Sequence, residues 1–91
     1  MDMLYIEERR RYVIATLEDK TRFIKVLGNK RYSLMDSLVA STKYTTRKLA
    51  NYMIGCYRES TGDMQDLVVL PVLITYDLID ETEYQLDGGF K

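Results

Sequence analysis

The side chains best able to do chemistry in this sequence are one thiol, Cys56, and a run of carboxylates toward the C-terminus, Asp77, Asp80, Glu81 and Glu83. The chain holds no histidine, so the commonest general base is missing and neither a Ser-His nor a Cys-His nucleophile pair can be assembled. That removes most hydrolytic chemistry. Cys56 falls on an apolar helical stripe, where a thiol serves more often as a small buried hydrophobe than as a nucleophile. The carboxylates offer the oxygen ligands that Mg²⁺ or Ca²⁺ takes, but their spacing matches no EF-hand loop. A nuclease site would also want a lysine beside its acidic pair, and Lys91 is the only basic residue after Arg58. None of Gly28, Gly55, Gly62, Gly88 and Gly89 builds a phosphate-cradling fingerprint. One cysteine and no histidine leave neither an internal disulfide nor a usual zinc ligand set. The expectation is a protein that binds rather than catalyses, without metal or cofactor.

What it binds is suggested by charge. The net charge is −1, yet residues 9 to 48 hold eleven Lys or Arg against three acids, and residues 59 to 91 hold eight acids against Lys91. In a compact domain the two regions can simply neutralise one another; such asymmetry is also what charged partners select. Two surfaces follow. Tyr76, Asp77, Asp80, Glu81, Glu83 and Tyr84 form an acidic surface suited to a basic groove on a host protein, which would make the chain an inhibitor. Arg9, Arg10, Arg11, Lys20, Arg22, Lys25, Lys30 and Arg31, with Tyr12 and Tyr32 among them, form the alternative, a basic surface for a phosphate backbone. The acidic reading leads.

These surfaces need elements to carry them. A hydrophobic fraction of 46% with 30% charged residues is that of a globular chain, not a disordered one, and 91 residues leave room for one core. Leu4 to Glu7 is a short strand, and the β-rich Tyr12 to Leu17 reaches a turn at Glu18-Asp19-Lys20. Thr21 to Leu27 returns as the second arm of a hairpin closed by Gly28-Asn29, which tolerate positive φ. Ser33 and Asp36 have capping-box spacing before Leu34 to Ala40, a short helix or turn. Thr45 is the N-cap of the main helix, about 46–60, and Gly62 receives its end. Leu49, Ala50, Met53, Cys56 and Tyr57 form its apolar stripe.

The last strand, Leu67 to Leu78, is apolar at every even position from Val68, so one face must be buried, and Pro71 within it belongs at an edge or bulge. Few apolar groups follow, which reads as a mobile acidic tail over residues 79–91. The expected fold is α+β: a small antiparallel sheet of three to four strands with the helix on one face, in a single domain over residues 1–91. Sheet edges left open suit pairing with a second copy as a homodimer. No apolar run approaches the roughly 20 residues of a membrane span and the N-terminus has no signal-peptide pattern, so the expected setting is soluble and cytoplasmic, with no membrane partner.

The run Ala40-Ser41-Thr42-Lys43-Tyr44-Thr45-Thr46-Arg47-Lys48-Leu49-Ala50, followed by Leu67-Val68-Val69-Leu70-Pro71-Val72, resembles small accessory proteins of phages of Gram-positive bacteria. Many of those place an A-T-K-[FY]-x-T segment before a helix and end on one further strand. The resemblance spans about residues 37–76, and Ser41 is an extra residue between the Ala and the Thr. It implies no catalytic residue. It implies a phage-type protein in the cytoplasm of a bacterial host, binding a host nucleic-acid-dependent protein such as a defence nuclease.

Overall fold

The computed structural model describes residues 3–17 and 21–79. Along the chain these form β1 (Met3–Thr16), β2 (Phe23–Gly28), β3 (Arg31–Met35), α1 (Arg47–Thr61) and β4 (Leu67–Ile79). The strands make one antiparallel sheet in the order β3-β2-β1-β4, and α1 packs on β1, β3 and β4. This is the small α+β fold expected from the sequence.

Two separate strands were expected near the N-terminus; there is one. β1 runs without a break through Glu7-Glu8-Arg9-Arg10-Arg11, a stretch of low strand propensity, because β4 pairs with it from Thr16–Leu67 to Met3–Ile79. Tertiary pairing overrides local preference here, as it commonly does in sheets. Pro71 lies on β4, an edge strand with β1 on one side only, the one position where its missing N–H breaks no ladder.

The expected hairpin between β1 and β2 is reduced to a fork. They meet at Ala15 and Phe23, with the Thr16 N–H on the Arg22 carbonyl at 2.9 Å, and then diverge. The segment Thr42–Tyr44 fills the gap. Thr42 donates its N–H to the Ile24 carbonyl and accepts the Val26 N–H on its hydroxyl. Tyr44 exchanges both main-chain bonds with Tyr12, at 2.9 and 2.8 Å. The true hairpin is β2–β3, turned by Asn29 and Lys30 at φ 51° and 60°, the positive angles of a two-residue type I′ turn. Leu34 to Met35 is thus strand, not helix: Ser33 pairs with Lys25 in the ladder, and Tyr32 and Leu34 pack against the core. Only residues 38–40 form a turn. The turn expected at residues 18–20 and the tail at 80–91 lie outside the described residues; Ile79, placed in that tail, ends β4.

The core is Ile14, Ile24, Tyr44, Ala50 and Tyr57, with Tyr32 against Tyr57 edge to face at 5.4 Å between ring centroids. Of the expected helical stripe, Ala50 and Tyr57 are buried and Met53 and Cys56 half-buried, whereas Leu49 is 41% exposed and Ile54 takes part instead. Arg47, a cation in the wrong helical turn for the dipole, is held by local contacts. Its guanidinium lies 5.0 Å from the Tyr12 ring centroid and donates to the Val69 carbonyl.

The N-cap is Thr46, one residue later than expected: its hydroxyl accepts the Leu49 N–H at 3.0 Å. Gly62, at φ 75°, returns its N–H to the Arg58 carbonyl. Thr46→Ala therefore lowers stability by about 1 kcal/mol, while Thr45→Ala changes it by no more than about 0.5 kcal/mol. Urea unfolding of the two variants side by side reads the difference.

Candidate interaction surface

Val13, Ile14, Ala15 and Thr16 are buried in succession, so the inner end of β1 is covered on both faces. Beyond the Tyr12–Tyr44 bridge β1 has no neighbour but β4 among the described residues. From Arg11 and Val72 outward the two strands form a ribbon. Its length shows in the principal extents, 53 × 26 × 25 Å, and in a radius of gyration of 17.8 Å, against ~12 Å for a compact chain of this size.

Directly opposed residues of an antiparallel pair share a face. The face continuous with the helix side carries the pairs Arg10–Leu73, Glu8–Thr75 and Ile6–Asp77. The other carries Arg11–Val72, Arg9–Ile74, Glu7–Tyr76 and Tyr5–Leu78. Tyr5 is 58% exposed, Leu73 59%, Tyr76 59% and Leu78 57%. The even-numbered face of β4, Val68 to Leu78, expected to be the buried one, is the face away from the helix: Val68, Val72 and Ile74 are half-buried and Leu70, Tyr76 and Leu78 exposed, while Leu67 and Val69 of the odd face pack against the core, because the register on β1 sets them beside Ile14. Val72 and Ile74 are half-buried, opposite Arg11 and Arg9, whose aliphatic stems suit covering apolar neighbours.

The basic triplet is split by the same alternation, with Arg10 on one face and Arg9 and Arg11 on the other. Arg9 pairs with Glu7. Arg22 lies 3.8 Å from Asp36, and Lys25 donates to the Ala40 carbonyl at 3.2 Å. Lys30 is in the β2–β3 turn and Arg31 follows it, both exposed; Lys20 lies outside the described residues. Of the acidic set, Tyr76 and Asp77 occupy opposite faces of β4, and Asp80, Glu81, Glu83 and Tyr84 lie outside the described residues. The residues missed by sequence reasoning are Tyr5, Ile6, Val72, Leu73, Ile74 and Leu78. Their signal was an apolar strand whose partner is the most highly charged stretch of the chain, and neither stretch reveals that pairing alone.

The groups with displaced pKa values sit away from the ribbon and hold the fold. Burial, then the hydrogen bond to Asp63, pushes the Tyr57 hydroxyl up to about 12. The same bond is the main cause holding Asp63 below the ordinary carboxylate range. Lys43 is lowered by burial and then by Lys25, and donates to the Leu38, Val39 and Ser41 carbonyls. Cys56 is half-buried on α1, and burial with the neighbouring Tyr32 and Cys56 raises Tyr44. Among the described residues no group of three or more His, Cys, Asp or Glu is placed to hold a metal, and no helix is long and apolar enough to cross a membrane. The surface depression at the ribbon's base is open, lined by Arg10, Pro71, Val72 and Leu73.

The chain is thus a four-stranded antiparallel α+β protein with a projecting two-stranded ribbon. No family model matches it, and no curated protein or solved structure does.

The displaced groups make stability pH-dependent in a fixed sense. A raised Tyr57 stabilises the fold fully below its ordinary value of 10.0 and the gain is lost as pH rises through about 12,. A depressed Asp63 contributes above 3.8 and its share is lost as pH falls through its lower folded value,. Tyr57→Phe is expected to cost about 1–2 kcal/mol at neutral pH and to flatten the alkaline decline, leaving the parts due to the raised Tyr44 and Tyr52 hydroxyls. Urea unfolding at neutral and strongly alkaline pH measures both.

Proposed function

We propose that this chain is a non-enzymatic binding protein whose working surface is the β1–β4 ribbon. The observation that carries the reading is the exposure of Tyr5, Tyr76 and Leu78 together on one face of a two-stranded extension. A two-stranded ribbon is marginally stable in water on its own, and contiguous exposed apolar and aromatic groups mark interaction sites. Among the described residues these groups contribute little to the core, which supports a use in docking a partner.

The partner that fits best is a protein. Val72, Ile74, Tyr76 and Leu78 supply an apolar and aromatic centre, while Arg9 is neutralised by Glu7 on the same face. In the sequence β4 leads directly into Asp80, Glu81 and Glu83, so an apolar patch bordered by basic residues is the complementary surface. A host protein that works on nucleic acid has such a border, and this agrees with the phage-type inhibitor that the resemblance implies. The second reading, binding of a nucleic acid strand, is favoured by Arg9 and Arg11 sharing a face with Tyr5 and Tyr76, the pairing of cations and stacking rings such sites use.

Tagged protein incubated with nuclease-treated lysate of a Gram-positive bacterium should recover a partner that Tyr5→Asp/Tyr76→Asp no longer recovers and that Val39→Asp, on the exposed 38–40 turn, still does. Equal recovery by all three sinks the ribbon as the working surface. Binding that vanishes with nuclease, and falls steeply as salt rises, selects the nucleic acid reading.

A further inference from the structure

We infer that the outer edge of β4 pairs with β4 of a second copy of this chain, antiparallel, about a two-fold axis at Thr75. The inference does not rest on the docking reading above, since the edge can pair whether or not the face docks.

The direction of each main-chain group follows from the bonds on the other side of β1. Tyr12 uses both its N–H and its C=O on Tyr44, away from β4, so Tyr12 and Pro71 are a non-hydrogen-bonded pair. By the alternation of an antiparallel ladder, the odd-numbered residues of β4 then aim their N–H and C=O outward. The Arg47 guanidinium, reaching the Val69 carbonyl from α1 at 3.1 Å, agrees with that assignment. Val69 is thereby occupied and Pro71 has no N–H to give. Beyond them Leu73, Thr75 and Asp77 each present one N–H and one C=O to the outside, and among the described residues no main-chain group pairs with them. Natural edges are usually blunted by charge or proline; from Val72 to Ile79 the only charged residue is Asp77.

This edge is complementary to itself in one register. With Thr75 opposite Thr75 of the second copy, Leu73 faces Asp77 of the second copy, and every outward group of the three residues is used. On the face carrying Tyr76, Ile74 meets Tyr76 of the second copy and Val72 meets Leu78, the aromatic and β-branched cross-strand neighbours that stabilise sheets. On the helix-side face Arg10 stands beside Leu73, so Arg10, Leu73 and Asp77 of the second copy fall in one row with opposite charges at its ends. Moving the axis to Tyr76 places Glu8, Thr75 and Asp77 of the second copy in one row, with like charges. Moving it to Ile74 puts Pro71 opposite Asp77, which leaves the Asp77 carbonyl without a donor. The Thr75 register avoids the like charges and moves the Pro71 gap out to Ile79, the last residue of β4. It is an isologous contact, closed by its own symmetry, and it continues the sheet as β1-β4-β4-β1.

The test uses the full chain. Sedimentation equilibrium from micromolar to near-millimolar concentration is expected to show a dimer that Thr75→Pro converts to a monomer. That change removes only an outward N–H, as Pro71 already does, so circular dichroism should be retained. Should Thr75→Pro unfold the chain, Thr75→Cys in a Cys56→Ser background decides. On oxidation it is expected to cross-link to itself, because hydrogen-bonded pairs place Cα atoms about 5.5 Å apart, within disulfide reach. Leu73→Cys and Tyr76→Cys are expected not to. A monomer throughout the range overturns the inference, as does a folded Thr75→Pro dimer or self-cross-linking at Tyr76 instead of Thr75. A monomer whose Leu73, Thr75 and Asp77 amides resist hydrogen exchange also overturns it, and assigns the edge to residues 80–91 of the same chain.

Discussion

β1 and β4 pair over nearly their whole length, and the molecule depends on the fact that only half of this ladder is covered. At the Thr16–Leu67 end the ladder is one layer of the core, under α1 and against Ile24 and Tyr44. At the Met3–Ile79 end it continues without β2 or the helix. The inner half anchors the outer half, because main-chain hydrogen bonding is cooperative along a strand already held in register by burial on one side. A free ribbon of this composition would be marginal; continuous with a buried ladder, it becomes a defined surface.

The division between the halves is set by the Thr42–Tyr44 segment. It enters where β1 and β2 separate, bonding β2 through Thr42 and β1 through Tyr44. The preceding turn is tied down by Lys43 and Lys25, whose ammonium groups donate to its carbonyls. That satisfies main-chain groups which a fork in a sheet would otherwise leave unpaired. The chain can then begin α1 at Thr46 directly above the sheet. Arg47, placed against the helix dipole, is retained there because it closes the junction of β1 and β4 through Tyr12 and Val69.

The ribbon's two faces differ in kind. One mixes Arg10, Glu8 and Asp77 with Ile6 and Leu73; the other gathers Tyr5, Val72, Ile74, Tyr76 and Leu78 around Glu7, Arg9 and Arg11. The second has an apolar and aromatic centre with charges beside it. The edge of β4 differs from both faces in being directional, because main-chain hydrogen-bonding groups are spaced by register whereas the faces present shape and apolar area.

The local elements were legible in the sequence. The 3.6-residue stripe with Gly62 behind it specified α1 to within one residue, the β-rich runs specified strands, and Pro71 marked an edge, since each rests on interactions within a few residues of chain. The helix or turn that the capping-box spacing suggests from Leu34 rests on local signals, while the pairing of β3 with β2 that overrides it at Leu34 and Met35 is not local. Pairing across the fold decided the rest. That Glu7 to Arg11 would be strand, that Arg9 and Arg10 would face opposite ways, and that β4 would leave Leu73, Tyr76 and Leu78 open all follow from the register of β1 on β4, which joins residues some sixty positions apart. Alternation in a strand is written in the sequence, but which alternate face meets the core is settled only when a distant segment covers it.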